Sequence, residues 1–125
     1  MKKLLVVVLI LVCAASWAQD TFGTGQWLHD IWKGFQRTNS SDASDAVDWP
    51  ALAMQYQGYV WGAATVMYNA NWLDLTGITS GQLFAVVGKY LDANPEQWNL
   101  FAEVLIYRAL YAVWPGNVAA PASYQ

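Results

Sequence analysis

Residues that could perform chemistry are few in this chain of 125 residues. His29 is the only histidine, and the only cysteine, Cys13, lies in an apolar run near the N-terminus. A metal site needs several convergent ligands, and no spacing in the sequence supplies them. Nucleophilic catalysis needs a base paired with the nucleophile, and no motif pairs a serine with His29. We therefore predict no catalytic residues, no metal site and no cofactor, and we interpret His29 as a surface or helix-cap residue.

Carboxylates could cleave a glycosidic bond, but only as a facing pair. The two glutamates, Glu96 and Glu103, are predicted to lie on one face of one helix, where they cannot flank a bond. Asp42, Asp45 and Asp48 are spaced by three, whereas calcium loops place ligands two apart and need a turn glycine. A solvated loop that ends in the helix cap Asp48 fits them better. The sequence favours a protein that is not an enzyme, with a small cell-wall hydrolase as an alternative.

The composition argues against nucleic acid as a partner and against a membrane anchor. A net charge of −3 without a basic cluster excludes a nucleic-acid binder of the usual kind. Part of the 56% hydrophobic content belongs to the N-terminus, where Lys2 and Lys3 precede the apolar run Leu4–Ala15. Small residues in Ser16-Trp17-Ala18 then fit a cleavage site. Because the run is short for a bilayer span, we predict a cleaved signal peptide, Met1–Ala18, rather than an anchor.

Cleavage would release a single domain, residues 19–125, into the periplasm without further membrane contact. The domain would contain no cysteine, because Cys13 leaves with the signal peptide. Its negative charge would increase, since Lys2 and Lys3 are removed as well. A secreted domain of this size without disulfides depends on its hydrophobic core alone, and its many aromatic residues suit that role.

Helical periodicity accounts for the first half of the domain. Gln26–Arg37 carries an apolar stripe on one face, and the polar segment Thr38–Val47 is predicted to be a loop. Asp48-Trp49-Pro50 is a helix start, and this second helix is predicted to run to about Asn69. The stripe of the second helix contains Leu52, Tyr56, Tyr59, Val60, Ala63 and Met67.

The second half of the domain is also predicted to be helical. Thr79 and Gln82 form a capping box that starts a third helix. Asn94-Pro95-Glu96-Gln97 is predicted to start a fourth helix that stops before Pro115, with a frayed tail at Asn117–Gln125. No segment alternates with period two for long enough to form a sheet. The predicted fold is an all-α, compact bundle of about four helices.

Gly58 and Gly62 stand one turn apart in the second helix. Two glycines in this spacing make a flat groove that another helix can approach closely. Packing against a helix of the same chain is the favoured interpretation. The alternative is the seam of a homodimer.

The segment after the second helix combines aromatic residues, amides and an acid outside regular structure. The candidate partner-binding residues are Tyr68, Asn69, Asn71, Trp72, Leu73 and Asp74. If exposed, they would form a binding tip with aromatic anchors. If not, Trp72 and Leu75 would fold back to cover the core. We predict this segment as the first-choice contact, with the acidic segment Asp42–Asp48 as the second choice.

Several short motifs in a fixed order resemble the type VI amidase immunity (Tai) family, which includes the Rap-type immunity proteins. They are Gly58-Tyr59-Val60 with Gly62, Ile78–Leu83, Val86-Val87, Lys89–Leu91, Pro95-Glu96, Ala102, Leu105-Ile106, Ala109-Leu110 and Pro115. The resemblance covers about residues 55–115. It implies a small, exported, all-α protein that acts in the periplasm, often as a dimer. Its implied partner is a peptidoglycan-cleaving amidase, delivered by a type VI secretion system, whose activity it blocks.

The chain departs from that family in its cysteines. Typical members carry cysteines near the Gly-Tyr motif, in the following loop and after the final proline. This chain has Tyr56, the segment Trp72–Leu75 and Gly116 in those regions, and Thr65 stands where members often carry an aspartate. The favoured interpretation remains an immunity protein. A periplasmic structural or glycan-binding module that stacks sugars on exposed tryptophans is the alternative.

Overall fold

A computed structural model describes residues 22–38 and 49–125. The predicted signal peptide Met1–Ala18 and the acidic segment Asp42–Asp48 lie outside the described residues. Within them the chain forms four α-helices and no strand, which confirms the predicted all-α fold. The helices are α1 (Gly25–Thr38), α2 (Trp49–Asn69), α3 (Ser80–Ala93) and α4 (Ala102–Tyr111). None of these helices is both long and apolar enough to cross a membrane.

The start of α3 is set by its own sequence. The Gln82 backbone N–H donates to the Thr79 side-chain oxygen at 3.3 Å, and the Thr79 N–H donates to the Gln82 side chain at 2.8 Å. This reciprocal pair is the predicted capping box. It satisfies backbone donors at the helix start that have no partner inside the helix. The boundary between α3 and the segment before it is therefore fixed by local chemistry.

Aromatic side chains fill the centre of the bundle, where α1, α2 and α3 meet. Tyr56 of α2 is fully buried, and its ring lies 5.2 Å from Trp32 and 5.4 Å from Phe35 of α1. The ring of Phe84 from α3 lies 6.0 Å from that of Tyr56. The Tyr56 hydroxyl donates to the Phe84 carbonyl oxygen at 2.7 Å. One residue thus joins three helices by packing and by a hydrogen bond.

A carboxylate on α3 joins that helix to α1 at the surface. Asp92 accepts from Lys33 Nζ at 3.0 Å and from Trp32 Nε1 at 3.1 Å. His29 Nε2 lies 3.1 Å from the same carboxylate, and the His29 ring stacks on Trp98 at 3.9 Å between ring centroids. Partial burial opposes ionisation of Asp92, but the bonds from Lys33, Trp32 and His29 outweigh it and lower the pKa of Asp92.

Replacing Asp92 by asparagine is expected to lower the free energy of unfolding at pH 7 by about 1 kcal/mol, because these charge-assisted bonds are weakened. The pKa of Asp92 is lower in the folded state, so its stabilisation is present above about pH 4 and is lost as the pH falls below that value. In urea unfolding, the stability difference between the wild type and Asp92→Asn should therefore be largest at pH 7 and shrink as the pH falls toward 3. A difference that persists unchanged at pH 3 would contradict this role.

The last helix begins later than its sequence suggests. Pro95–Gln97 forms only a short 3-10 helix, and α4 begins at Ala102 rather than at Asn94, so the predicted start was wrong. The reason is a long-range contact. The carbonyl oxygens of Trp98 and Leu100 accept from the N–H groups of Gln26 and Gly25, at 2.9 and 2.8 Å. Backbone carbonyls that serve the start of α1 are not available to continue a helix.

Candidate functional site

The loop between α2 and α3, residues 70–79, is the candidate site, and we call it the contact loop. Its backbone is bonded to the residues that follow α4. Leu73 and Pro115 form an isolated antiparallel bridge. The Asp74 N–H donates to the Trp114 carbonyl oxygen at 3.1 Å, and the Gly116 N–H donates to the Trp72 carbonyl oxygen at 2.9 Å. The loop therefore has a defined conformation although it contains no helix or strand.

The local sequence helps the loop to turn. Gly77 has φ +76°, in the left-handed region that glycine reaches without steric cost, and Asn71 has φ +59°, which asparagine tolerates better than most residues. Gly116 is needed for a different reason. A Cβ atom at Gly116 would lie 2.6 Å from the Leu73 nitrogen and closer still to the Asn71 carbonyl oxygen. Only glycine lets the two segments approach this closely.

The structure divides the six candidate partner-binding residues into two groups. Tyr68, Asn69, Asn71 and Asp74 are exposed. Leu73 is 2% exposed and belongs to the hydrophobic core, so its side chain offers no contact surface. Trp72 is half-buried, and its ring centroid lies 5.2 Å from that of Tyr124 and 6.3 Å from that of Tyr107. The structure therefore confirms the alternative for Trp72, in which its side chain folds back to cover the core.

The exposed members line a concave, polar surface. This cavity of about 440 Å³ is lined by Tyr68, Asn69, Asn71, Leu73, Asp74, Thr76, Gly116 and Asn117. The Thr76 backbone N–H donates to Asp74 Oδ1 at 3.2 Å. Hydrogen bonds from the Thr76 side chain and backbone lower the pKa of Asp74, so the site presents a carboxylate at neutral pH. Thr76, Gly116 and Asn117 were missed from sequence, although Asn117 follows the Pro-Gly stop signal that could have marked a turn.

An apolar groove of about 400 Å³ adjoins this cavity, and Tyr68, Asn69 and Thr76 border both. The groove runs between the C-terminal half of α2 and the start of α3, past Trp61 and Ile78. Trp61 is 50% exposed, although it is a large apolar side chain. Together the cavity and the groove place a carboxylate, three amides and aromatic rings on one continuous surface. This combination is typical of a protein-binding surface with aromatic anchors.

Gly58 and Gly62 lie on the outside of α2. Both are exposed, and among the described residues no atom lies within 4 Å of a Cβ built at either position. The favoured interpretation, packing against another helix of the same chain, is therefore not what the described part of the chain shows. The physical reason is that Tyr56, Val60 and Met67, on the opposite side of α2, face the core. The groove of the two glycines faces outward.

The described residues bear on two kinds of catalytic site, a metal centre and a pair of carboxylates. They contain no cluster of three or more histidine, cysteine, aspartate or glutamate residues that could hold a metal ion. Glu96 lies in the 3-10 helix and Glu103 in α4, so the two do not share one helix as predicted. Tyr59 donates to Glu103 Oε2 at 3.1 Å. Burial, followed by the charge of Glu103, raises the pKa of Tyr59 to about 12, so this hydroxyl stays protonated as a structural donor.

The tryptophans bear on the glycan-binding alternative. That interpretation needs several solvent-facing tryptophans in one plane. Among the tryptophan side chains that the structure describes, only Trp61 is exposed, while Trp32 is buried and the others are half-buried. A single exposed indole does not form a sugar-stacking platform, so this arrangement favours a protein partner over a glycan.

Comparison with models of protein families gives a match. The family described as Rap1a immunity proteins matches residues 24–116, which is more than half of the chain. The match includes α1, which lies before the segment that carries the sequence resemblance, and it ends at Gly116 beside the contact loop. No curated protein matches the chain.

Proposed function

The chain belongs to the Rap1a immunity protein family, and we propose that it binds and inhibits a peptidoglycan amidase delivered by a type VI secretion system. Membership makes it an immunity protein, an inhibitor class that acts on a cognate effector protein. The observation that supports a contact at one end of the bundle is the exposed, hydrogen-bonded contact loop with its adjoining apolar groove. We propose that this loop occludes the active site of the amidase.

The contact loop suits an inhibitor because its shape is fixed before binding. Asp74 and Asn71 are exposed on backbone that is hydrogen-bonded to residues 114–118. A preformed surface loses less conformational entropy on association than a mobile loop does, and more of the interaction energy then appears as affinity. An inhibitor also needs no reactive groups of its own. The geometry therefore supplies what occlusion requires.

The negative charge of the chain favours a partner with a basic surface. The whole chain carries a net charge of −3, and Asp74 is ionised at the rim of the cavity. An acidic inhibitor is attracted to a partner with a basic surface around its substrate cleft, which raises the rate of encounter. We propose a basic rim around the catalytic cleft of the amidase as the complementary surface. The encounter would take place in the periplasm, after cleavage of Met1–Ala18.

Complex formation tests the proposed function. The mature chain, residues 19–125, is mixed with the purified cognate amidase and run on a size-exclusion column. We expect a stable complex and stoichiometric loss of amidase activity. Separate elution with full amidase activity would overturn the proposal.

We further propose a homodimer whose seam is the outer face of α2. This helix contains no charged residue, and Met54, Gly58, Gly62 and Val66 form an exposed ridge at intervals of four. Met54 is 73% and Val66 65% exposed, which is unusual for apolar side chains that face water. Glycines at the centre of such a ridge let a second copy of the same helix approach closely, and a two-fold axis makes the surface self-complementary.

Val66→Glu is expected to convert this dimer into a monomer, because it would bury a charge at the seam without a partner. Ser80→Glu adds the same charge at the exposed start of α3 and should leave the dimer intact. Light scattering on a size-exclusion column gives both masses. A monomeric wild-type protein, or equal dissociation of both variants, would contradict the proposed seam.

A further inference from the structure

We infer that residues 116–125 are a positioning device that holds the contact loop in the conformation that binds the effector. We call these residues the C-terminal strap. This inference rests on the proposed function. It assigns a role to a segment whose sequence predicts a frayed tail, a prediction that the structure contradicts.

The strap is packed against the bundle. Ala120 is 4% exposed and belongs to the core, and Ala122–Tyr124 forms a turn of 3-10 helix. The Gln125 side-chain amide donates to the Ala120 carbonyl oxygen at 2.8 Å, which closes the strap on itself. Segments that fray do not bury side chains or close such bonds. The strap is therefore an ordered part of the fold.

Three contacts pass from the strap into the contact loop, and the first is the bond from the Gly116 N–H to the Trp72 carbonyl oxygen at 2.9 Å. The Val118 N–H donates to the Asn71 carbonyl oxygen at 3.0 Å, which extends the backbone bonding that begins at Gly116. The Tyr124 ring packs against the Trp72 ring, with centroids 5.2 Å apart. The Tyr124 ring also lies 5.9 Å from that of Tyr107 of α4, so the rings of Trp72, Tyr107 and Tyr124 form one mutual cluster. The exposed Asn71 and Asp74 lie on either side of this tryptophan in the sequence.

The far end of the strap is fixed to α4. Arg108 Nη2 donates to the Gln125 backbone oxygen at 2.8 Å, and Arg108 Nη1 donates to Gln97 Oε1 at 3.1 Å. Gln97 Oε1 also accepts from the Tyr90 hydroxyl at 3.0 Å. A continuous set of bonds therefore runs from α3 through Arg108 to the strap. The contact loop is therefore connected to α3 and α4 through the strap, in addition to the covalent connections at its two ends.

The strap reaches the surface only at its start. Gly116 and Asn117 line the cavity of about 440 Å³, whereas Tyr124 does not. An effector bound at this cavity would therefore sense a change at Tyr124 through the conformation of Trp72 and its neighbours. Without the Tyr124 ring, the contact loop should sample more conformations in the unbound protein. Binding would then have a larger entropic cost, because the loop must become ordered in the complex.

The test uses Tyr124→Ala, with Tyr124→Phe as the matched control that keeps the ring. Hydrogen–deuterium exchange of the mature chain reports the loop without any partner. In Tyr124→Ala we expect the Asp74 and Val118 amides to exchange about tenfold faster, with the Val60 amide in the middle of α2 unchanged. Affinity for the cognate amidase should fall about tenfold, and mainly through slower association. In Tyr124→Phe, the amide exchange rates and the affinity should both be close to those of the wild type.

The possible outcomes separate the two claims. If the wild type does not bind the amidase, the proposed function fails, and faster exchange of the loop amides alone would still support the positioning role. If the wild type binds and Tyr124→Ala exchanges and binds as the wild type does, the strap does not position the loop. Faster exchange throughout the chain, including Val60, would also overturn the inference, because it would show a general loss of stability.

Discussion

Asp74→Arg is expected to weaken binding of the amidase about 100-fold while leaving the melting temperature unchanged. The side chain is exposed at the rim of the cavity, and its hydrogen bonds are to Thr76, two residues along the chain. Charge reversal there replaces attraction by repulsion of a basic partner. The fold loses only a local turn contact. Calorimetric titration gives the affinity, and thermal unfolding gives the stability.

Asp30→Arg is the matched control for this charge reversal. Asp30 is exposed on α1 and accepts from Gln26 of the same helix at 3.0 Å, as Asp74 accepts from a neighbour in its own segment. The net charge changes by the same amount in both variants. We expect Asp30→Arg to bind with affinity close to that of the wild type. Equal weakening by both variants would mean that overall charge, and not the contact loop, controls the interaction.

Tyr56→Ala is expected to lower the free energy of unfolding by about 3–5 kcal/mol, a much larger loss than that expected for Asp92→Asn. The ring is fully buried among aromatic residues from α1 and α3, so truncation leaves a cavity that these rigid neighbours cannot fill. A small domain has a total stability of about 5–15 kcal/mol, so the variant should lose a large share of it and unfold at a much lower urea concentration. Urea unfolding followed by tryptophan fluorescence measures the loss.

Tyr56→Phe separates the ring from its hydroxyl. Burial, reinforced by the nearby charge of Asp92, raises the pKa of Tyr56 far above its usual value, so the hydroxyl remains a donor to the Phe84 carbonyl oxygen. Removing it while keeping the ring should cost only about 1 kcal/mol. If Tyr56→Ala cost no more than Tyr56→Phe, the aromatic packing would not hold the three helices together.

Local sequence rules predicted much of this fold. The first helix was predicted as Gln26–Arg37 and observed as Gly25–Thr38, and the second ends at Asn69 as predicted. The capping box at Thr79 and Gln82 is present as predicted. In each case the deciding interactions lie within a few residues of the boundary. Helix caps and apolar periodicity can therefore be read without knowledge of the tertiary structure.

The rest could not be predicted, because it depends on contacts between distant residues. The carbonyl groups of Trp98 and Leu100 bond to the start of α1, which shortens the last helix, and no pattern near residue 98 signals this. The strap is ordered because it meets Trp72 and Arg108, which precede it by many residues. The local sequence of Asn117–Gln125, taken alone, predicts a frayed end. Tertiary contacts override local propensity in both places.

The candidate site was located by sequence but not resolved into its parts. Turn-forming residues identified the segment after α2, yet they do not distinguish Asp74, which is exposed, from Leu73, which is buried. That distinction arises from the bridge to Pro115 and from the close approach of Gly116. The family resemblance implies cysteines in the loop and after the final proline. In this chain, backbone hydrogen bonds and the contact at Gly116 join the same two regions.

Survival of bacteria that export the amidase is the decisive test of the proposed immunity function. The cognate amidase is targeted to the periplasm of a test strain, alone or together with the full chain or its Asp74→Arg variant. We expect lysis with the amidase alone, full growth with the wild-type chain and lysis again with Asp74→Arg at equal protein level. Lysis in the presence of the wild-type chain would contradict the immunity function, and protection by Asp74→Arg equal to that of the wild type would contradict the contact loop.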